Sequence, residues 1–490
     1  MVEYFSYAEY LTTAEDTFLY IEYLKQIEAY LDSSGLIHAT LPATTANSRS
    51  GVQMEVALYR GLTYLNNKNS LGCIMNTLNK VSTLLLIGAV VVGIGVSSVS
   101  AGTKAPGGGP VCIGPTRTKI KSCYDTIAEG VSASKAGYFI HVNAGLYPIT
   151  SPIVIDKANL TIIGAQENVD PRPSQLTTRV PGSVSESQVD GGGISENIFS
   201  IRASGTHING FELRHATGDI VESVAGFGTY DTVLIRYNII HNSTGDEGIQ
   251  LRSVSGSYIN NNYVYDTAGD GINLCCGSSF SSIQDNEVRD IRTADAAIYV
   301  YASVNNKIKR NLVYNVSNND GIKIGNKDGS DTGIRVADIH KNTVHDTKQD
   351  GISIYSSFAD VWGNNVYNST SENGAVYLTY GISEISLRQN RIHDNALRTT
   401  KRPTAAGVYI ATRPFADTIT LDDNRIYGNT PYGLSNTGIG RVTAQNNWWG
   451  HASGPRDTVS GDGSLPDVNL TGLGNGIVGA VDYRFWQTVP

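Results

Sequence analysis

Charge is scarce in this chain: Asp, Glu, Lys and Arg make up 17% of its 490 residues, and the net charge is −8. No basic stripe stands out, which excludes the electrostatic footprint of a nucleic-acid binder. Blocks of one charge are missing too, and 40% of the residues are hydrophobic. A disordered tail is thereby excluded. No cysteines are spaced CxxC, so a zinc ribbon is excluded. The five present are Cys73, Cys112, Cys123, Cys275 and Cys276. Cys112 and Cys123 flank a turn-rich segment; they pair if the chain is exported and otherwise stay as two thiols. The adjacent Cys275 and Cys276 read as small residues of a repeat.

Long apolar runs are equally rare. The clearest is Val81 to Val99, with Met75 and Lys80 before it and Val99-Ser100-Ala101 after it. A basic flank, an apolar stretch and a small-residue end describe a secretory signal peptide, and the run is also long enough for a signal anchor. Residues 75–101 are therefore expected to act as one or the other. Residues 1–74 are then either a miscalled N-terminus or a helical extension, the latter carrying Phe18, Ile21, Leu24, Ile27 and Leu31 at helical spacing. Residues 102–119 read as a Gly/Pro-rich linker. The expected location is secreted or cell-surface, with membrane contact only through 81–99.

What the chain does have is Gly (52), Tyr (27) and a repeat. Asn followed two positions later by an apolar residue recurs at Asn238, Asn262, Asn286, Asn311, Asn342, Asn364, Asn390, Asn424 and Asn446. The apolar partners run from Ile240 to Trp448. A second landmark follows each of the first eight, as in Gly248-Ile249, Gly271-Ile272 and Gly321-Ile322, and a third apolar strand precedes the next Asn. Three short alternating strands per period, stacked identically, make a parallel β-helix in which each coil pairs with the next. Asn at a bend then bonds up and down the stack, and Gly or Ala permits a tight corner. The domain plan is a cap and first coils over 120–200, repeats over 201–450, and a C-terminal cap or tail over 451–490. The 120–200 segment opens with a short helix over Asp125 to Ser134.

Residues 137–165 (GYFIHVNAGLYPITSPIVIDKANLTIIGA) and Asp190-Gly191-Gly192-Gly193 resemble the first coils of the pectate-lyase-like superfamily. Asn238 to Trp449 resembles its NosD-like repeats. Asn446-Asn447-Trp448-Trp449-Gly450 with Ser453-Gly454-Pro455 looks like the closing motif of bacterial and archaeal surface proteins of that type. The resemblance implies an all-β, right-handed, single-stranded parallel β-helix solenoid. It leaves activity open, because this scaffold hosts lyases, hydrolases, epimerases and adhesins.

A superfamily lyase is expected to use Arg or Lys as base, often with Ca2+ held by carboxylates. Of the hydrolase signature NTD, DD, GHG and RIK only Asp422-Asp423 occurs, beside a repeat Asn, and the epimerase signature DPHD is absent. The candidate surface is the second strand of each coil. Gln250, Asn273, Tyr299, Lys323, Ser353, Tyr377 and Tyr409 are expected to point outward, with Arg252, Tyr301 and Tyr355 in the next column. Glu247, Asp270, Asp320 and Asp350 precede the corner, where Asp is also ordinary turn chemistry. Tyrosine rings suit sugar faces, and carboxylates suit hydroxyls or Ca2+. A second outward column holds His241, Tyr265, Arg289, Tyr314, His345, Tyr367, His393 and Tyr427; its histidines are set apart, so no shared metal is expected. Two longer coils insert 325–333, with Asp328 and Asp331, and 395–405, with Arg398, Lys401 and Arg402. The reading taken forward is a polysaccharide- or surface-glycan-binding protein without catalysis. One alternative is a polysaccharide lyase with Lys323 or Arg252 as base and Ca2+ as a possible cofactor; the other is a structural envelope component.

Overall fold

The computed structural model describes residues 110–490 apart from 225–227, 293–294, 326–337, 356–357, 380–383 and 412–417. The extension 1–74, the segment 75–101 and the insertion carrying Asp328 and Asp331 lie outside the described residues.

The chain winds as a right-handed parallel β-helix whose coils contribute one strand to each of three sheets of 15, 11 and 13 strands. Sheet 1 takes the strand before each ladder Asn, such as Leu234–Arg236 and Tyr258–Asn260. Sheet 2 takes the strand after it, such as Ile239–His241 and Tyr263–Tyr265. Sheet 3 takes the strand after the corner, such as Ile249–Arg252 and Ile272–Cys275. Pairing is in register without slip over these coils: Ile235, Ile259, Ile283 and Ile308 stack in sheet 1. Period-two alternation sends these branched residues inward, and one continuous apolar core runs the length of the helix.

The asparagine ladder is fully satisfied. In each rung from Asn238 to Asn424, the backbone N–H and the Nδ2 both donate to Oδ1 of the next asparagine, at 3.0 Å for Asn286 and Asn311. The same Nδ2 also reaches a carbonyl of the preceding coil, Ile283 O in the case of Asn311 (3.0 Å). The last rung corrects the sequence reading: Asn447, not Asn446, accepts from Asn424 (2.8 and 2.9 Å), and Trp449, not Trp448, is the fully buried ring. The double Asn and double Trp made that register ambiguous. The corner glycines are also needed for a reason other than turn dihedrals. A Cβ on Gly321 would lie 2.4 Å from Val344 Cγ1 and 2.6 Å from Gly351 O, so sheet 2 approaches too closely for a side chain.

Both ends are closed, as an open coil requires. Residues 110–119, assigned above to a linker, instead carry strand Val111–Gly114, antiparallel to both Ser122–Tyr124 and Phe139–Val142. Cys112 faces Cys123 there and the two form a disulfide. Helix Ile127–Ala133, capped by the Thr126–Glu129 capping box, buries Ile127, Gly130 and Val131 on the first coil. At the far end Trp449 and Tyr483 are fully buried, and Trp486 donates from Nε1 to Ala452 O (3.1 Å).

Candidate functional site

The second-strand residues do stack in one column on the outside of sheet 3: Glu222, Gln250, Asn273, Tyr299, Lys323 and Ser353 are in register, and Tyr377 and Tyr409 continue it. The face is not the open platform expected. Tyr299, Tyr355, Tyr377 and Tyr409 are only 4–6% exposed. Tyr355, Tyr377 and Tyr409 form a small apolar cluster with Ala411, separate from the main core. The cause at the C-terminal end is the second insertion, which folds back over the sheet. The Arg402 guanidinium lies 5.6 and 5.1 Å from the Tyr377 and Tyr409 ring centres and meets both hydroxyls. Lys401 pairs with Glu372 (2.7 Å), and Arg398 donates to Thr370 O and Lys348 O. Arg402 is thereby committed to the tyrosine face, while Lys401 and Arg398 stay exposed with their heads paired to the neighbouring coils.

Lys323 is likewise committed. Its Nζ lies 2.7 Å from Asp295 and over the rings of Tyr299 (4.7 Å) and Tyr355 (5.6 Å), with the residue 4% exposed. An ammonium already paired with a carboxylate and lying over two ring faces stays charged and has no lone pair with which to take a proton.

The carboxylates before the corner have a shared structural duty. Asp219 accepts the N–H of Glu247 (3.1 Å), Asp270 that of Ala296 (2.8 Å), Asp320 that of Asp350 (3.1 Å) and Asp350 that of Gly374 (3.4 Å). Each ties its coil to the next at the sheet edge, where backbone groups would otherwise be left unpaired. Burial pushes Asp270 up to about 7 and Asp320 up to about 6. Burial and then the charge of Asp320 hold Asp350 well above the usual carboxylate range.

Glu247 breaks this pattern. Its longer side chain turns onto the face, where Oε1 accepts from Gln250 Nε2 (3.0 Å) and Asn273 Nδ2 (3.4 Å). Its Oε2, Gln250 Oε1 and Asn273 Oδ1 are buried and receive no hydrogen bond within the described structure. Carboxylate oxygens of Glu247, Asp219 and Asp246 all lie within 4.8 Å of one another. Burial, then the charge of Asp219, drives the Glu247 carboxyl well above its ordinary value. Three carboxylates so close cannot all ionise unaided; they share a proton or take up a cation. An all-oxygen donor set of this kind suits a hard cation such as Ca2+. Beside them Arg252 lies 3.6 Å from Glu222, and the charges of Asp219 and Glu222 keep it cationic against the cost of burial. Asp246 is partly exposed and opens the cluster to solvent.

Of the residues picked from sequence, then, Glu247 and Arg252 belong to this acidic centre. Asp270 adjoins it through Asn273 (2.7 Å). Tyr301 stacks on Tyr299 (4.7 Å) one coil further on, while Asp320, Asp350, Tyr355, Tyr377 and Tyr409 lie along the covered part of the face. Asp219, Glu222 and Asp246 were missed. The signal was present: Asp219-Ile220-Val221 occupies the place of Glu247-Gly248-Ile249 one coil earlier, but it precedes the first ladder asparagine.

The sheet 2 column has the expected order, with its histidines separated by other coils. Histidines and tyrosines alternate in parallel stacks: His345 on Tyr314 (5.2 Å) and Tyr367 (4.7 Å), and His393 on Tyr367 (5.3 Å) and Tyr427 (5.0 Å). The ring faces are used on one another, so this stripe serves cohesion between coils. His215, overlooked in the sequence, does neighbour His241 (6.3 Å), but each ring is held by its own carboxylate, Asp190 (3.0 Å) and Glu212 (3.1 Å).

The family model described as the right handed beta helix region matches residues 183–334 and 328–455. The chain belongs to this right-handed β-helix family. No curated protein matches it by sequence. Among solved structures it is similar to the A-module of mannuronan C-5 epimerase AlgE4 of Azotobacter vinelandii, with 12% identity, TM-score 0.47, and coverage of 74% of this chain and 94% of that one. It is also similar to a GH87 α-1,3-glucanase catalytic unit of Streptomyces thermodiastaticus (15%, TM-score 0.42, 73% and 66%). A third is DFA-IIIase of Arthrobacter chlorophenolicus A6 (13%, TM-score 0.40, 62% and 81%).

Proposed function

We propose that the protein is exported and acts on polysaccharide, and that its chemistry is acid–base cleavage of a glycosidic bond at Asp219, Asp246 and Glu247. The observation that carries this reading is the contrast within the cluster. Burial and the neighbouring Asp219 push the Glu247 carboxyl towards its protonated form, its oxygens lie within 4.8 Å of those of Asp219 and Asp246, and Asp246 reaches solvent. Glycoside hydrolysis uses a carboxylic acid to protonate the leaving oxygen and a carboxylate to attack the sugar carbon or activate water. Oxygens within 4.8 Å of one another leave no room for a water between them, so the nucleophilic route is the one this cluster suits. In this scheme Glu247 is the acid, Asp246 the nucleophile, and Asp219 holds the proton on Glu247. Arg252 orients hydroxyls or an acidic substituent. Export is supported by the Cys112–Cys123 disulfide.

A second reading is binding without turnover. It is favoured by the bond from the Glu247 N–H to Asp219, which repeats the structural duty of the aspartates in other coils. One experiment separates the two. The full chain is incubated with uronate and neutral polysaccharides, with and without Ca2+, while reducing ends and the ultraviolet absorbance of unsaturated uronates are followed and binding is read on a glycan array. New reducing ends that vanish in Glu247→Gln support hydrolysis. Unsaturated products would move the chemistry to a lyase and overturn the assignment of Glu247. Saturable binding without products leaves a binder, and neither leaves a structural envelope component.

A further inference from the structure

Cys275 ends a sheet 3 strand and Cys276 opens the turn after it; Arg252 is the register partner of Cys275 in the coil before. Neighbouring residues of an extended strand point to opposite sides, so adjacent cysteines in a regular strand keep their sulfurs apart. Here the backbone does otherwise. Cys276 adopts a left-handed conformation (φ 60°), which swings its side chain to the side of Cys275, and the two Sγ atoms lie 2.6 Å apart. That separation is well inside the contact distance of two non-bonded sulfurs.

The conformation is imposed by the repeat and not by the sulfurs. Ser253 (φ 52°) and Ala302 (φ 45°) hold the equivalent corners of the coils before and after. Hydrogen bonds pin both peptide carbonyls: Cys275 O accepts from Ser253 N (3.2 Å) and Ser278 Oγ (2.7 Å), and Cys276 O accepts from Ser253 Oγ (2.7 Å). Cys275 is buried and Cys276 half-buried, so only the second sulfur meets a reagent from solvent.

We infer that Cys275 and Cys276 are a dithiol site that closes to a vicinal disulfide on exposure to a small disulfide oxidant. The Cys276 thiolate attacks the oxidant RSSR, giving a mixed disulfide and one thiolate RS−. Cys275 then loses its proton and attacks the Cys276 sulfur, which expels the second RS− and closes the ring. Two thiols are oxidised and one external disulfide is reduced to two thiols. The inference stands apart from the glycan reading, since it uses none of the carboxylates.

The test equilibrates the folded full chain with oxidised and reduced glutathione, quenches with iodoacetamide and digests with trypsin. Cleavage after Arg252 and Arg289 releases a single peptide holding both cysteines and no other. The expected product is that peptide without alkylation and lighter by one hydrogen per cysteine than the dithiol, reverting to the doubly alkylated form after dithiothreitol. The folded chain is first reduced with dithiothreitol, so that re-closure of Cys112–Cys123 reports in the same digest that oxidation took place. Double alkylation while Cys112–Cys123 is closed overturns the inference, as does a lasting glutathione adduct on Cys276 or a cross-link to Cys73. In Cys276→Ser, which places at this corner the residue already present at 253, Cys275 is expected to stay unmodified by glutathione; a glutathione adduct on Cys275 there would contradict the assignment of Cys276 as the attacking thiol.

Discussion

Replacing Asn311 by Ala probes what the amide ladder contributes to this solenoid. Asn311 sits mid-stack and its side chain makes four hydrogen bonds. Oδ1 accepts from Asn286 N and Nδ2, and Nδ2 donates to Ile283 O and Asn342 Oδ1, all at 3.0 Å. Asn286 Nδ2 keeps Ile259 O (2.9 Å), and Asn342 Oδ1 keeps the backbone N–H of residue 311. Two groups, the Asn286 N–H and Ile283 O, lose a buried partner. At about 1–3 kcal/mol for each orphaned group, the substitution costs about 2–6 kcal/mol. Urea unfolding followed by circular dichroism measures the total. Hydrogen exchange at the Asn286 amide locates it, since a solenoid opens coil by coil. Lys307→Ala, on the exposed side of the same coil, is the control and stays within about 0.5 kcal/mol. Asn311→Asp sharpens the test. Its second carboxyl oxygen would face two acceptors, so it must carry a proton there, and its folded pKa rises above the unfolded value near 3.9. The penalty is then absent in acid and grows as pH rises past that value. An Asn311→Ala variant no weaker than Lys307→Ala, with unchanged exchange at Asn286, would refute the argument.

The buried carboxylates give a second pH signature. Asp270 and Asp320 have folded values near 7 and 6, above the unfolded 3.9, so the folded state binds more protons between those limits and stability falls as pH rises from about 4 to 7. Thermal midpoints across that range check this, and Asp320→Asn is expected to flatten the slope. Gly321→Ala should cost about 1–3 kcal/mol by overpacking, read in chemical denaturation, because the new methyl meets Val344 and a carbonyl. Trp449→Ala should cost about 3–5 kcal/mol in the same assay by emptying the last layer of the core. Gly454, at φ +79° with Trp486 2.5 Å from where its Cβ would be, should tolerate no side chain; Gly454→Ala is expected to release the C-terminal cap to limited proteolysis.

The fold was legible because a β-helix writes its register into the sequence. Asn, the corner glycine and the apolar strand positions recur in every coil, and each is required locally by the coil beneath it. That is why Asn238 to Asn424 and the Ile235–Ile259–Ile283 stack could be read from spacing alone. Fold legibility ended at the last coil, where Asn446-Asn447 and Trp448-Trp449 offered two registers that local spacing does not distinguish. The site was legible only in part. Alternation correctly placed Lys323, Tyr377 and Tyr409 on the outer side of sheet 3, yet direction along a strand says nothing of what lies on top of it. The insertion that brings Arg402 over the tyrosines, and the ion pair that holds Lys323, join residues 7 to 28 positions apart in the chain. The acidic centre depended likewise on two coils meeting: Asp219 and Glu247 are 28 residues apart in sequence and neighbours in register. Periodicity determined which side of the sheet each residue takes, because the peptide backbone alternates. Burial, charge pairing and the approach of carboxylates were decided only by the packed structure, because they depend on distances between groups that the sequence does not order.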